Sequence, residues 1–267
     1  LVVRSEMKRL IYQVYTGKPS RLYDHCTNSV SEYCSKYEID HIVQRQPIMK
    51  IKPDVFVTNR SKESYEKYGG FLPIYEKENA FDYWDRYDQI CIIDADIWIR
   101  PGSPNIFEHT SADADFSGVI EASMPILPWY EQKIENYSRM QYGQLKDYWK
   151  PQGKTGHPFM NMGLMMMNKS ITKYLRGDSG KQFIQRPEFK DFVDGIGTWK
   201  WSTDQTLLNY WIYKEKMTVK NLNWKWNALY TAVIDYYVKE AYFVHFFLKD
   251  KLPQKGEDVD QLMRDVQ

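Results

Sequence analysis

The chain has 267 residues, with 36 Lys and Arg against 35 Asp and Glu, for a formal net charge of +1. That length suits one large α/β domain with a sizeable core. The even charge carries no electrostatic footprint for nucleic acid. No apolar run reaches the roughly 18 residues of a membrane span, and peripheral membrane contact is left open.

Residues 1–6 (LVVRSE) read as an added remnant before a natural start at Met7, and residues 7–267 as a single domain with no repeat, low-complexity segment or linker. No charged-then-apolar signal pattern opens the chain. Cys26, Cys34 and Cys91 are odd in number and lack CxxC metal spacing, so they read as reduced thiols in a cytoplasmic protein.

Leu10–Tyr15 (LIYQVY) is β-branched and aromatic and stops before Gly17, as a first strand does. Residues 20–37 carry Leu22, Cys26, Val30, Tyr33 and Tyr37 near a 3.6-residue period, which predicts a helix. His41–Gln44 reads as a second strand. Residues 45–70 are polar, hold Pro47 and Pro53 and end at Gly69-Gly70, so part of this stretch is expected to be loop. Pro73 to Tyr87 reads as a helix with Ile74, Ala80, Phe81 and Trp84 on one side. Gln89–Ile93 (QICII) is the continuous apolar run of a parallel strand buried on both faces. Further on, 115–120 (DFSGVI) reads as a strand, 124–158 as irregular structure or short helices, and 159–168 as a strand. Residues 180–194 read as partly helical, Trp201–Lys216 as a helix, Tyr242–Leu248 as a last core strand, and the tail from Pro253 as a terminal helix. This alternation predicts an α/β domain with a mostly parallel central sheet flanked by helices, where ligands bind at the carboxyl ends of strands.

Asp94 and Asp96 stand where the buried run stops, in QICIIDADIWIRPGS. Burying unpaired carboxylates is costly. If the strand continued, the two would point the same way roughly 6–7 Å apart, and like charges so placed favour a cation between them. Mg²⁺ or Mn²⁺ takes oxygen ligands and often completes its shell with substrate phosphates. The other reading is a solvated loop pair with one Asp capping the next turn, and the apolar residues on both sides weigh against it. His245 lies in a second apolar run, YFVHFFLKDKLP. Alone it reads as a satisfied core histidine. With Lys251 six residues on, it also completes a cation site of two carboxylates and an imidazole beside a lysine suited to a diphosphate.

Together these residues resemble GT-A-fold nucleotide-sugar glycosyltransferases, and their order resembles glycosyltransferase family 8, the glycogenin and bacterial galactosyltransferase type. DADIW resembles the DxD motif, FMNMGLMMMN the family's FNSGVMLLN-like strand, WSTDQTLLNYW its GDQDxLN helix start, LNWKWNAL its L-P-x-x-W-N segment and HFFLKDK its HxxGxxK. The resemblance spans about residues 10–253. It implies a single GT-A-type, Rossmann-like domain, a nucleoside diphosphate sugar donor (UDP by preference), a glycan or other hydroxyl acceptor, and retention of configuration. It implies Mn²⁺ or Mg²⁺ on Asp94, Asp96 and His245, with Asp94 also touching the ribose. Tyr15, Thr16 and Gly17 would receive base and ribose, Lys77 the donor, and Lys251 the diphosphate. Asn161 would contact the donor sugar, Gly163 would let backbone approach closely, and Asp204 and Gln205 would lie beside the reacting carbon. The pattern is broken at two places: Leu248 stands where the family has Gly, and Leu252-Pro253 where it has Pro-Trp. Were the reaction inverting, Asp204 would be the first candidate for the base.

The parts also have simpler readings. Ser202-x-x-Gln205 is a capping box with Asp204 in the first turn. The methionines of MGLMMM fill core, and Lys77 is an ordinary helix lysine. A buried Asn161 needs partners, of which a sugar hydroxyl would be one. Tyr130, Tyr137, Tyr142, Tyr148 and Trp149 form either an acceptor platform or a tyrosine-rich lid. Among rival functions, a DxD phosphatase would carry its nucleophile on the first strand. A nucleotidyltransferase would show a Gly-rich basic loop there, of which GKPSRL is a faint echo. A glycan-binding protein on a degenerate transferase fold would have no use for Asp94, Asp96 and His245.

Overall fold

The computed structural model of the protein describes residues 7–54, 69–145 and 156–267. Its strands are β1 (Arg9–Val14), β2 (Asp40–Gln44), β3 (Gln89–Ile93), β4 (Ile97–Ile99) and β5 (Phe116–Ile120). After them come β6 (Met160–Asn168), β7 (Val219–Asn221), β8 (Ala228–Leu229) and β9 (Phe243–His245). Among the described residues the main sheet runs β2–β1–β3–β6–β5–β7, and a smaller sheet runs β4–β9–β8. β1 is parallel to β2 and β3, and β5 to β7, while β6 runs against both β3 and β5. The mostly parallel α/β architecture expected above is present; the small sheet was not foreseen.

Successive strand residues face opposite sides of a sheet. Leu10, Tyr12, Ile90 and Ile92 enter the core on one face, and Ile11, Cys91 and Ile93 the core on the other. Both faces are covered, which is why Ile90–Ile93 of this strand are apolar without a break. On one side the helix Arg21–Tyr37 buries Leu22, Cys26, Val30 and Tyr33, as its period predicted. Ser20 caps it by accepting from the Tyr23 N–H, a contact worth about 1 kcal/mol. On the other side the helix Asp204–Lys214 buries Leu207, Leu208 and Trp211. The Trp211 and Phe183 rings lie 4.5 Å apart, a pair that adds roughly 0.5–1.5 kcal/mol to its burial.

Four expectations are corrected. The helix expected from Pro73 to Tyr87 is present as a 3₁₀ helix that ends at Tyr83. Its threefold winding stacks residues three apart, so Ile74 and Lys77 face the same cavities. Pro128–Tyr142 is one long α-helix where irregular structure or short helices were expected. Its buried stripe includes the polar Ser138 and Gln141, which hid the helical period. The cap of the helix Asp204–Lys214 is Thr203, which accepts from the Gln205 N–H. Ser202, expected in that role, donates to the Phe192 carbonyl. The last strand keeps only Phe243–His245 of the run expected to Leu248.

Candidate active site

The DAD segment is not a continuous strand. β3 ends at Ile93, the chain turns, and β4 starts in the other sheet at Ile97. The turn is closed by the Ile97 N–H donating to the Asp94 carbonyl at 3.1 Å. It is clamped on both sides: the Asp94 N–H donates to the Gly163 carbonyl at 2.8 Å, and the Phe246 N–H to the Asp96 carbonyl at 2.9 Å. The turn draws the two carboxylates and the His245 imidazole together, with one potential ligand atom from each within 4.8 Å of the others. His245 Nε2 lies 3.2 Å from Asp96 Oδ1 and 3.7 Å from Asp94 Oδ2. Burial opposes charge on this imidazole, but the Asp96 carboxylate outweighs it and the pKa is raised.

A chain of side chains orients His245. Asn161 Nδ2 donates to Glu121 Oε1 at 2.8 Å, and Asn227 Nδ2 donates to Asn161 Oδ1 at 2.9 Å. Asn227 Oδ1 is thereby left as an acceptor, 3.2 Å from His245 Nδ1. Neutral histidine then carries its proton on Nδ1 and turns the Nε2 lone pair to the carboxylates, the tautomer a cation requires. Gly163 fits this chain for a different reason from the one expected. A Cβ there would lie 2.6 Å from His245 Nδ1 and 2.8 Å from Asn161 Oδ1. The glycine makes room for the imidazole.

Lys77 is not an exposed lysine. Its ammonium contacts Asp94 Oδ1 at 2.8 Å, Asp204 Oδ2 at 2.7 Å and the Met162 carbonyl at 2.9 Å. The contacts with Asp94 and Met162 are hydrogen bonds, and the one with Asp204 is an ion pair outside hydrogen-bond geometry. Burial opposes its charge, but Asp204 and Asp94 overcome this and raise its pKa. Burial raises the Asp204 pKa and Lys77 pulls it back. The carbonyls of Met162 and Gly163 reach the site because β6 breaks register with β5 here, between Ser117 and Val119, as bulges beside functional sites do. Behind Lys77, the carboxyl oxygens of the fully buried Glu78 meet no hydrogen-bonding partner, and burial holds its pKa well above the carboxylate range.

Two cavities meet at this cluster, of about 580 Å³ and about 280 Å³, and both are lined by Ile74, Lys77, Asp94, Asp96 and Asp204. The smaller adds Thr16 and Tyr23 from the carboxyl side of β1. Tyr15 is buried and bonded to Ser20, and Gly17 takes a left-handed φ of 103°. Neither lines either of these two cavities. The larger adds Asn161, Gly163 and Gln205. Gln205 Oε1 accepts from the Met162 N–H at 3.1 Å. Asn161 spends both acceptor positions, on Asn227 and Gly163, and one donor on Glu121. Lys251 lines neither cavity; its ammonium lies 3.4 Å from the centre of the Trp129 ring. Lys249, not singled out in the sequence, lies 3.7 Å from the centre of the Tyr23 ring.

Glu121 and Asn227 were missed. β3 and β5 both oppose β6, so they run the same way, and Glu121 leaves β5 on the edge where Asp94 leaves β3. An acid just past DFSGVI was the available signal. Glu121 is 3% exposed and takes 2.7 Å and 2.8 Å bonds from Tyr130 and Asn161. Burial raises its pKa, and those two donors oppose the rise. Of the tyrosine-rich set, Tyr130 and Tyr137 line the larger cavity, Tyr137 bonding Thr206, while Tyr142 is fully buried in the core; Tyr148 and Trp149 lie outside the described residues.

No protein-family model matches the chain, and no curated protein matches it in sequence. Solved structures do match it in shape. A glycosyltransferase involved in glycosylation of the major capsid of PBCV-1 superposes with a TM-score of 0.51 at 13% identity, covering 96% of this chain and 99% of that one. The galactosyltransferase LgtC, in complex with donor and acceptor sugar analogs, gives 0.54 at 14% identity over 96% and 95%. The bifunctional glycosyltransferase WbbM gives 0.51 at 12% identity over 99% of this chain and 50% of that one. The protein has the GT-A glycosyltransferase fold. The resemblance to family 8 seen in the sequence holds at the level of that fold.

Proposed function

We propose that the protein is a metal-dependent glycosyltransferase that moves a sugar from a nucleoside diphosphate sugar, UDP by preference, to a hydroxyl acceptor with retention of configuration. The observation that carries this reading is the Asp94–Asp96–His245 cluster at the junction of two cavities on a GT-A fold. The donor set fits Mn²⁺ or Mg²⁺: two carboxylates and an imidazole whose Nδ1 is already engaged. When bound, such a cation supplies positive charge for the leaving diphosphate. The smaller cavity, with Thr16 and Tyr23, takes the nucleoside. The larger, with Asp204 and Gln205, takes the sugar and the acceptor. Trp201, 60% exposed beside the larger cavity, offers an acceptor ring a face to stack on.

In the transfer, the bond from the anomeric carbon to the diphosphate oxygen breaks and the acceptor oxygen bonds on the same face. The acceptor proton passes to the departing phosphate oxygen, so no separate carboxylate base is needed. The Lys77 contact on Asp204 supports retention, because a carboxylate held by a lysine is a poor base. No described helix is long and apolar enough to cross a membrane, and three buried, unpaired thiols favour the cytoplasm.

A screen of nucleotide sugars for hydrolysis and transfer with Mn²⁺, followed by NMR of the product anomer, tests the reading. Asp96→Ala should abolish turnover and Mn²⁺-dependent UDP binding. Wild-type turnover in that variant would sink it.

A further inference from the structure

Among the described residues, seven other than glycine have positive φ: Glu38, Lys50, Arg176, Lys216, Leu248, Gln254 and Lys255. Six are polar or charged. Leu248 is the apolar one, at φ 59° and ψ 61°, and of the seven it alone lines the larger cavity. A left-handed backbone is disfavoured for any residue with a Cβ, and such residues persist where their surroundings over-determine them, often at functional sites.

The surroundings here are plain. Phe246 is fully buried and its N–H is fixed to the Asp96 carbonyl, and Leu252 is buried beyond the turn. Between those anchors the Lys251 N–H closes on the Leu248 carbonyl at 2.8 Å and the Leu252 N–H on the Lys249 carbonyl at 3.0 Å. The turn needs a left-handed residue, which glycine would supply at no steric cost. A leucine stands there instead, and its side chain is only partly buried. With Phe247, Tyr130, Ile134 and Phe159 it makes up the apolar part of a lining that also includes Lys77, Asp94, Asp96, Asp204 and His245.

We propose that Leu248 is a specificity-determining residue that closes the apolar wall on the sugar side and excludes water as an acceptor. This rests on the transferase reading above. The reaction it suppresses is hydrolysis. The water oxygen bonds to the anomeric carbon, the bond to the diphosphate oxygen breaks, one water proton passes to the diphosphate, and the products are free sugar and nucleoside diphosphate. Excluding water from a closed site is a general means of preventing such losses.

The test measures hydrolysis of the donor found in the nucleotide-sugar screen, with no acceptor present, for wild type, Leu248→Ala and Leu248→Gly. Leu248→Ala keeps a Cβ and the same backbone preference, so it isolates the side chain; Leu248→Gly also frees the backbone. Both should raise the hydrolytic kcat about fivefold or more, roughly 1 kcal/mol of barrier, with UDP affinity and Tm close to wild type. If wild type hydrolyses a donor and neither variant does so faster while binding UDP normally, this inference alone falls. If wild type turns over no nucleotide sugar, the transferase reading falls and this inference with it.

Discussion

Gly163→Ala is the sharpest test of how the imidazole is seated. The added methyl would lie 2.6 Å from His245 Nδ1, 2.8 Å from Asn161 Oδ1, and closer still to His245 Cε1. To restore ordinary contact, the ring must retreat by about 1 Å. It has little room, because Asn227 Oδ1 stands 3.2 Å from Nδ1 and Asp96 Oδ1 stands 3.2 Å from Nε2. Overpacking a rigid site costs about 1–3 kcal/mol. For a domain of this size that lowers Tm by roughly 2–12 °C. Disturbing the support of a histidine ligand costs about 10–100-fold in metal affinity. Calorimetric titration with Mn²⁺ in the presence of UDP, together with thermal melts, reads both. Wild-type Mn²⁺ affinity with an unshifted Tm would mean that the imidazole does not sit against Gly163, and the proposed ligand geometry would be wrong.

Two further outcomes follow from the charges. Lys77→Met leaves Asp94 and the largely buried Asp204 without their shared cation; breaking a buried pair costs about 3–5 kcal/mol, so Tm should fall by roughly 6–20 °C and recover in part in Lys77→Met with Asp204→Asn, whereas an unchanged Tm for the single variant contradicts the contact. His41, whose ring nitrogen is 2.9 Å from Gln13 Oε1, has its pKa lowered from 6.5 to about 4 by burial first and Arg45 second. The folded state therefore prefers neutral imidazole, so its stabilising share is complete above pH 6.5 and is lost as pH falls toward 4. Melts of His41→Gln against wild type at pH 7 and pH 4.5 should show the variant losing less Tm on acidification, and equal losses would contradict the assignment.

Much of the fold was legible because burial writes itself into single strands. QICII had to be covered on both faces, and the period of residues 20–37 put one apolar stripe on a helix. The carboxylates at the end of β3 and a histidine in a distant apolar run were legible as candidates for the same reason: polar groups in apolar surroundings need a partner. What could not be read was the local path of the chain. Asp94 and Asp96 converge through a turn between two sheets, which no alternation pattern announces. The resemblance assigned Lys251 to a diphosphate, and nothing in the spacing announced that its ammonium would lie over the Trp129 ring. Lys77 was singled out only through the resemblance, as a donor contact; its ion pairs could not be read because its acids come from two other elements along the chain.

The chain from Glu121 to His245 was the least legible part, and its parts depend on one another. Its members come from the end of β5, from β6, from the turn before β8 and from β9, so no local window contains two of them. Asn227 is fully buried and Asn161 nearly so. A buried polar group deprived of its partner costs about 1–3 kcal/mol. Asn227→Leu orphans Asn161 Oδ1 in part and removes the acceptor for His245; Asn161→Leu orphans Asn227 and Glu121. The bond between the two asparagines is lost in either variant, so the double variant cannot lose it twice. Urea unfolding of both single variants and the double should therefore show a combined loss smaller than the sum by roughly 0.5–3 kcal/mol. Losses that add to within about 0.3–0.5 kcal/mol would mean independent sites, and the chain that fixes the His245 tautomer would not exist as drawn.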